Sequence, residues 1–175
     1  MGRRAQFVAM PMGGRKIYCY ADETAPDTPD PADPRERLCE VFGSFGGPVP
    51  AILERIEKVS VARTDEVVLP SWSRGPVLLV GDAAHATAPT LAQGAAMSFE
   101  DGWVLGQELK AAQGDIPATL RAYEQRRRPR CGEVRTRTRE RDRARDVPPS
   151  LRDPMLRRRG LRIFTDHYRG LIPPV

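Results

Sequence analysis

The sequence predicts a mixed α/β chain, an α+β arrangement in which short strands and small helices are followed by long C-terminal helices. Three observations predict it. Residues 5–10 and 16–21 read as two strands across a turn holding Pro11, Gly13 and Gly14. The run Pro76-Val77-Leu78-Leu79-Val80 has the length and composition of a buried strand, and it ends in Gly81-Asp82. From about Ala92 onward the apolar spacing becomes helical, with breaks only at prolines.

Taken in order, the first element is the hairpin of residues 5–10 and 16–21. Residues 22–34 hold Pro26, Pro29, Pro31 and Pro34 among acidic residues, and proline's fixed φ and missing donor predict a loop. Two short helices follow. One covers about 35–43, with Leu38, Val41 and Phe42 on one face, and one covers about 48–57, with Ile52, Leu53 and Ile56 turned to the core. Val59, Val61, Val67 and Leu69 alternate loosely and predict one or two strands over 59–69. After the turn Ser71–Gly75 comes the strand of residues 76–80. A helix is expected over 92–112, with Met97, Val104, Leu105 and Leu109 at helical spacing and Gly114 ending it. Pro117 suits the first turn of a second long helix reaching about Arg145, with an interruption near Pro129. Pro148, Pro149 and Pro154 should then leave room for at most one short helix, Met155 to Phe164.

Composition narrows the function classes. At 175 residues with 40% hydrophobic content, the chain is long enough for one ordinary core. No apolar run approaches the roughly 18 residues of a membrane span, and the N-terminus lacks a signal-peptide pattern, so a cytoplasmic protein without a membrane partner is expected. The net charge of +5 is uneven. Residues 1–120 carry 11 Lys and Arg against 16 Asp and Glu, whereas residues 121–175 carry 17 Arg against 7 acids. Any nucleic-acid affinity would have to reside in that last third. There the acids lie among the arginines at i,i+4 spacing, and no aromatic residue falls between Tyr123 and Phe164 to stack a base. A solvated or packed helix with ion pairs is the favoured expectation, with nucleic acid disfavoured. Cys19, Cys39 and Cys131 are far apart and the histidines number two, which argues against a metal cluster or a disulfide framework.

The segment from Leu79 to Asp101 carries the chemistry. A strand ends in Gly81-Asp82, a small-residue loop follows, and a helix opens near Gln93-Gly94-Ala95-Ala96. In open α/β sheets ligands sit at the carboxyl ends of strands. A carboxylate there only accepts hydrogen bonds and suits polyol hydroxyls. Small residues let a flat ligand approach the backbone, and a helix start favours negative charge.

The segment resembles the second flavin-binding motif of the single-component FAD-dependent aromatic hydroxylases, a family typified by p-hydroxybenzoate and salicylate hydroxylases. Gly81-Asp82-Ala83-Ala84-His85, Pro89, Gln93-Gly94 and Glu100-Asp101 match that pattern in order and spacing. Trp72 and Gly75 resemble its lead-in. Leu120, Tyr123, Glu124, Arg127, Arg128 and Pro129-Arg130 resemble its following helix, and Pro11-Met12-Gly13-Gly14 with Tyr18 resemble its late substrate-domain sheet. The likeness covers roughly residues 2–145. It implies a fold made of the C-terminal part of an FAD-binding Rossmann-like domain joined to part of a substrate-domain β-sheet. Residues 1–70 would be the sheet part with two short helices, 71–115 the flavin-edge strand, loop and helix, and 116–175 the Arg-rich helical region.

The resemblance also implies roles. Asp82 would bond a ribityl hydroxyl of FAD. Backbone N–H groups of Ala95 and Ala96, opened by Gly94, would face the pyrimidine-side carbonyl of the isoalloxazine. Pro89 would line the flavin face near its oxygen-reacting carbon. NAD(P)H would be the co-substrate and an aromatic or polyketide-like molecule the substrate. The sequence departs from the family at Ala92, where glycine is usual, at Ala96, where asparagine is frequent, and at Gly102, where alanine is usual. The Gly-x-Gly-x-x-Gly unit that holds a dinucleotide pyrophosphate does not occur here, so the chain resembles the C-terminal half of a hydroxylase and a complementary N-terminal half is an expected partner. Without that unit, the chain by itself should bind FAD weakly or not at all.

Plainer roles are expected for neighbouring residues: hydrogen bonding or packing for His85 rather than acid–base chemistry, helix-surface or ion-pair roles for Glu100 and Asp101, and a packed turn for Trp72. No catalytic side chain is assigned. The alternatives to a monooxygenase module are a non-catalytic remnant acting through its basic C-terminal helix, and another flavin chemistry on the same scaffold.

Overall fold

A computed structural model describes residues 4–24, 33–169 and 171. Most of the predicted loop of residues 22–34 therefore lies outside the described residues. The chain divides into two compact units, one of residues 1–62 with 143–175 and one of residues 63–142.

In the first unit, β1 (Ala5–Gly13) pairs antiparallel with β2 (Lys16–Glu23), with Val8 opposite Tyr20 and Pro11 opposite Ile17. The strands are longer than the alternation suggested. Pro11 is tolerated because a two-stranded ribbon has only edge strands, and the register shifts between Pro11 and Gly13. Gly13, Gly14 and Arg15 take φ of 78°, 57° and 60° to turn the chain. Asp33 caps α1 (Pro34–Phe42), its carboxylate accepting from the Arg35 and Glu36 N–H groups. Helix α1 ends at Gly43, where a Cβ would lie 2.4 Å from the Cys39 carbonyl oxygen. Helix α2 (Val49–Arg55) turns Val49 and Leu53 inward. Ala5, Phe42, Val49 and Leu53 form the apolar core; Leu38, Val41 and Ile56 pack around it as helical spacing predicted, Phe7 joins from β1, and Ile52, also expected there, lies outside the cluster. Phe42 sits edge-on to Phe7 at 5.5 Å and to Phe45 at 5.1 Å. Arg37 on α1 grips Glu23 on β2 with two hydrogen bonds of 2.8–2.9 Å.

The last helix of this unit is α6 (Pro149–Arg169). It is twice as long as the sequence suggested. Pro149 occupies the first turn, where no donor is needed, and Pro154 forfeits only one bond of a 21-residue ladder. None of the described helices is long and apolar enough to cross a membrane.

Residues 59–69, of which 63–69 open the second unit, were expected to form strands and do not. Val67 makes one backbone bond, to the Ala86 carbonyl, and no ladder partner lies alongside. The strand expected over 76–80 is reduced to β4 (Val77–Leu78), paired with β3 (Ser73–Arg74) around Gly75. It is not buried: Val77, Leu79 and Val80 all lie open to solvent. A one-turn helix α3 (Asp82–His85), a 3₁₀ turn (Pro89–Leu91) and α4 (Gly94–Ala111) follow. Met97, Asp101 and Val104 form the buried stripe of α4, while Leu109, expected on that face, is exposed. Helix α5 (Ile116–Arg143) is continuous. Its buried residues, Thr119, Leu120, Tyr123, Arg127, Cys131, Val134 and Thr138, follow one stripe, and Pro129 sits exposed off that stripe, so its ring does not interrupt the packed face.

Candidate functional site

The second unit holds the motif residues. Gly81 adopts φ 58°, ψ −140°, a conformation open to glycine, and reverses the chain after β4. A Cβ at Gly81 would come within 3.0 Å of Ser98 Oγ on α4. Asp82 is thus the first residue of α3 and is solvent-exposed. Ala92 takes φ 52° and lets the chain turn into α4. No side chain caps the start of α4, so the N–H groups at Gly94, Ala95 and Ala96 lie in its open first turn. All three residues are exposed, as is Pro89 at the head of the 3₁₀ turn. The structure brings Asp82 beside Gly94: a Cβ on Gly94 would sit 3.9 Å from Asp82 Oδ1.

Behind this surface lies a buried polar cluster centred on Asp101. Its Oδ2 accepts from the Gly81 N–H at 2.8 Å and meets His85 Nε2 at 2.8 Å, and its Oδ1 accepts from Arg127 Nε at 2.7 Å. Arg127 also donates to Glu100 at 2.5 Å and to the Met97 carbonyl at 3.1 Å. Arg130 joins Glu100 from the next turn of α5. Burial alone would discharge His85, yet the Asp101 carboxylate and the Cys131 side chain outweigh it and hold its pKa up at about 9. Burial likewise opposes the charge on Asp101, but His85, Gly81 and Arg127 together pull its pKa down to about 2. Burial also disfavours the Arg127 charge, and Glu100 and Asp101 restore it.

His85, Asp101 and Cys131 place three ligand-type atoms within 4.8 Å of one another. The fixed Arg127 charge on Asp101 opposes a cation there. A cavity of about 10 Å³, about the room one water needs, is lined by Asp82, His85, Thr87 and Cys131 among others. Thr87 Oγ1, buried beside it, has no hydrogen-bond partner among the described residues.

The two flanks of the motif meet. Trp72 is buried, 5.2 Å from the His85 ring and 6.2 Å from Tyr123, with the Arg128 guanidinium 5.6 Å over its face. Arg128 donates to the Leu69 and Pro70 carbonyls, and Glu124 accepts from Ser71 and Ser73. Asp101, expected in a helix-surface or ion-pair role, does form ion pairs, with His85 and Arg127, but it is 2% exposed and is the one buried carboxylate among the described residues. Its place midway between Met97 and Val104, on the apolar stripe, is the signal that could have shown it. Arg127 gave a similar signal, four residues from both Tyr123 and Cys131.

Fold and motif together define a flavoprotein of the FAD-binding α/β class. A family model described as FAD binding domain matches residues 5–138. The chain is 34% identical over 148 residues to chloroplastic zeaxanthin epoxidase of Solanum lycopersicum, covering 77% of this chain and 22% of that protein. It is 51% identical over 70 residues to 3-amino-4-hydroxybenzoate 2-monooxygenase PtnB3 of Streptomyces platensis, covering 40% of this chain and 18% of that one. Among solved structures, Klebsiella pneumoniae HpxO complexed with FAD and uric acid superposes with a TM-score of 0.77 at 24% identity, over 97% of this chain and 46% of that one. The chain belongs to the FAD binding domain family. It spans about a fifth of zeaxanthin epoxidase and under half of HpxO.

Proposed function

We propose that this chain forms the ribityl- and isoalloxazine-facing part of an FAD-dependent monooxygenase that uses NAD(P)H and O2 to hydroxylate an aromatic or polyketide-like substrate. One observation carries this beyond family membership: an exposed carboxylate, Asp82, stands beside the exposed and uncapped start of α4. The donor set fits FAD. An acceptor-only group suits the ribityl hydroxyls, and the N–H groups of Ala95 and Ala96 suit a ring carbonyl. The small side chains of Gly94, Ala95 and Ala96 leave room for a flat ring.

FAD, when bound, supplies the redox chemistry that no side chain here can perform. The chain's own residues orient and polarise. Asp82 accepts hydrogen bonds from the ribityl chain and fixes its rotation. The start of α4 stabilises negative charge at the pyrimidine side of the ring, through free N–H groups and the aligned peptide dipoles. Pro89 presents an apolar edge, without a backbone donor, to the ring face. A dinucleotide-binding polypeptide, in cis or in trans, would complete the cofactor site, with a cytoplasmic setting for the whole.

The test is flavin fluorescence titrated with the purified 175-residue chain, comparing riboflavin with FAD. Because these residues address the ring and sugar rather than the ADP part, both ligands should bind weakly and alike. Asp82→Ala should weaken both by about tenfold or more, the worth of a hydrogen bond to a charged group. Binding that needs the ADP portion, or that ignores Asp82→Ala, would overturn the assignment.

A further inference from the structure

We propose that Asp101 is the positioning residue of this site: through Gly81 and His85 it sets the direction in which the α3 turn presents Asp82 to the start of α4. The proposal rests on the flavin assignment above, and it concerns a residue that touches no part of the cofactor.

The geometry is specific. Asp82 and the N–H groups of the α4 start belong to separate segments, and a ligand spanning both needs them in fixed relation. Asp101 lies on α4, seven residues beyond Gly94, and shares its rigid frame with those N–H groups. Its Oδ2 binds both ends of the turn, Gly81 N–H on one side of Asp82 and His85 Nε2 on the other, each at 2.8 Å. The carboxylate cannot rotate away, because Arg127 pins Oδ1 at 2.7 Å and is itself tied back to α4 at Glu100 and Met97. The turn also packs through Trp72, 5.2 Å from the His85 ring, and through buried Ala84, contacts that are not hydrogen bonds to Asp82's neighbours. Helix α3 is a single turn, and the backbone bond from Val67 reaches it only at Ala86. Gly81 lies against Ser98, which leaves no room to reorient by gaining a side chain.

The side chains of Asp101, Arg127 and His85 are 2%, 4% and 7% exposed. A carboxylate withdrawn from water this far is stable only with its donors in place, so the arrangement is all-or-none. That property suits a joint that must hold one geometry.

Asp101→Asn keeps the shape but offers one acceptor oxygen and an NH2 that must face a former donor. Glu100→Gln is the control: it loosens the same α4–α5 joint at Arg127 and Arg130 without touching Gly81 or His85. Hydrogen–deuterium exchange on the whole 175-residue chain should show residues 81–86 exchanging about tenfold faster in Asp101→Asn, the cost of one charge-assisted bond. The same residues should stay near wild type in Glu100→Gln. Riboflavin affinity should fall in the first variant and hold in the second. Should Asp101→Asn fail to fold, the other partner serves: His85→Gln, whose amide can still donate, should keep 81–86 protected, and His85→Ala should not. Equal loosening by Asp101→Asn and Glu100→Gln, or none by Asp101→Asn, would overturn the proposal. If wild type binds no riboflavin, the exchange comparison alone decides the positioning role.

Discussion

The two units of the chain hold themselves together by different means. The unit of residues 1–62 and 143–175 packs Ala5, Phe42, Val49 and Leu53 with aromatic edges around them, a core of purely apolar side chains. Its ion pairs include Arg37 with Glu23, about a third exposed, and Arg145 with Asp22, which is more buried. The unit of residues 63–142 buries a carboxylate, Asp101, together with its Arg127 partner, whereas the buried charges of the other unit are the guanidinium groups of Arg145 and Arg152. An apolar core is non-directional, so it stabilises without dictating angles. A buried hydrogen-bonded charge cluster contributes little net stability but admits only one arrangement. The unit carrying the proposed cofactor contacts is the one built the second way.

The largest effect should come from removing one partner of the buried charges. Arg127→Ala leaves Asp101 and Glu100 without their guanidinium and should cost about 3–5 kcal/mol. Urea denaturation followed by exchange should place the loss in residues 63–142. Phe42→Ala should cost about 3 kcal/mol through lost burial and the cavity left behind, confined to the other unit. If Arg127→Ala costs no more than a surface change, the comparison is broken.

A pH series sharpens it. His85 has its pKa raised in the folded state, so its contribution is full below about 6.5 and disappears as pH rises toward about 9. The loss is on the order of 3 kcal/mol, with Asp101 and Cys131 as the ionisable groups acting on the ring and Arg127 bonded to Asp101 behind them. Asp101, whose pKa is lowered, adds stability above about 4 that is lost as pH falls toward 2. Urea midpoints at pH 6 and 9.5 should therefore differ in residues 63–142, and His85→Gln should flatten that difference. The smallest effect is Arg139→Ala. Its pair with Glu66 is half exposed, so the urea midpoint should stay close to that of the unchanged chain in the same assay.

How much of this was legible follows the same division. Leu38, Val41, Phe42 and Leu53 announce their core by spacing alone, because apolar burial is what periodicity reports. Within the motif 81–101 the start of α4 is legible, whereas α3 and the 3₁₀ turn lie where a small-residue loop is expected. What stayed hidden was long-range pairing. Nothing local tells that Asp101 meets Arg127, 26 residues on, or that Val77 and Val80 stay open to solvent, since a strand's burial depends on neighbours the local pattern does not name. Pro129 and Pro154 misled for a related reason. A proline's effect on a helix depends on which side faces the packing, and that is set by the whole fold.

One buried neighbour pair has a spectroscopic meaning. The chain has two tryptophans, and they differ completely in surroundings. Trp103 lies 71% exposed on α4, whereas Trp72 is 5% exposed and packed against His85. Their emission therefore reports two things at once. Trp103 gives a red-shifted signal open to aqueous quenchers. Trp72 gives a blue-shifted one whose brightness depends on whether the imidazole beside it carries its proton. With Trp103 replaced by phenylalanine, the remaining indole becomes a built-in optical gauge of the charge state at the centre of the cluster.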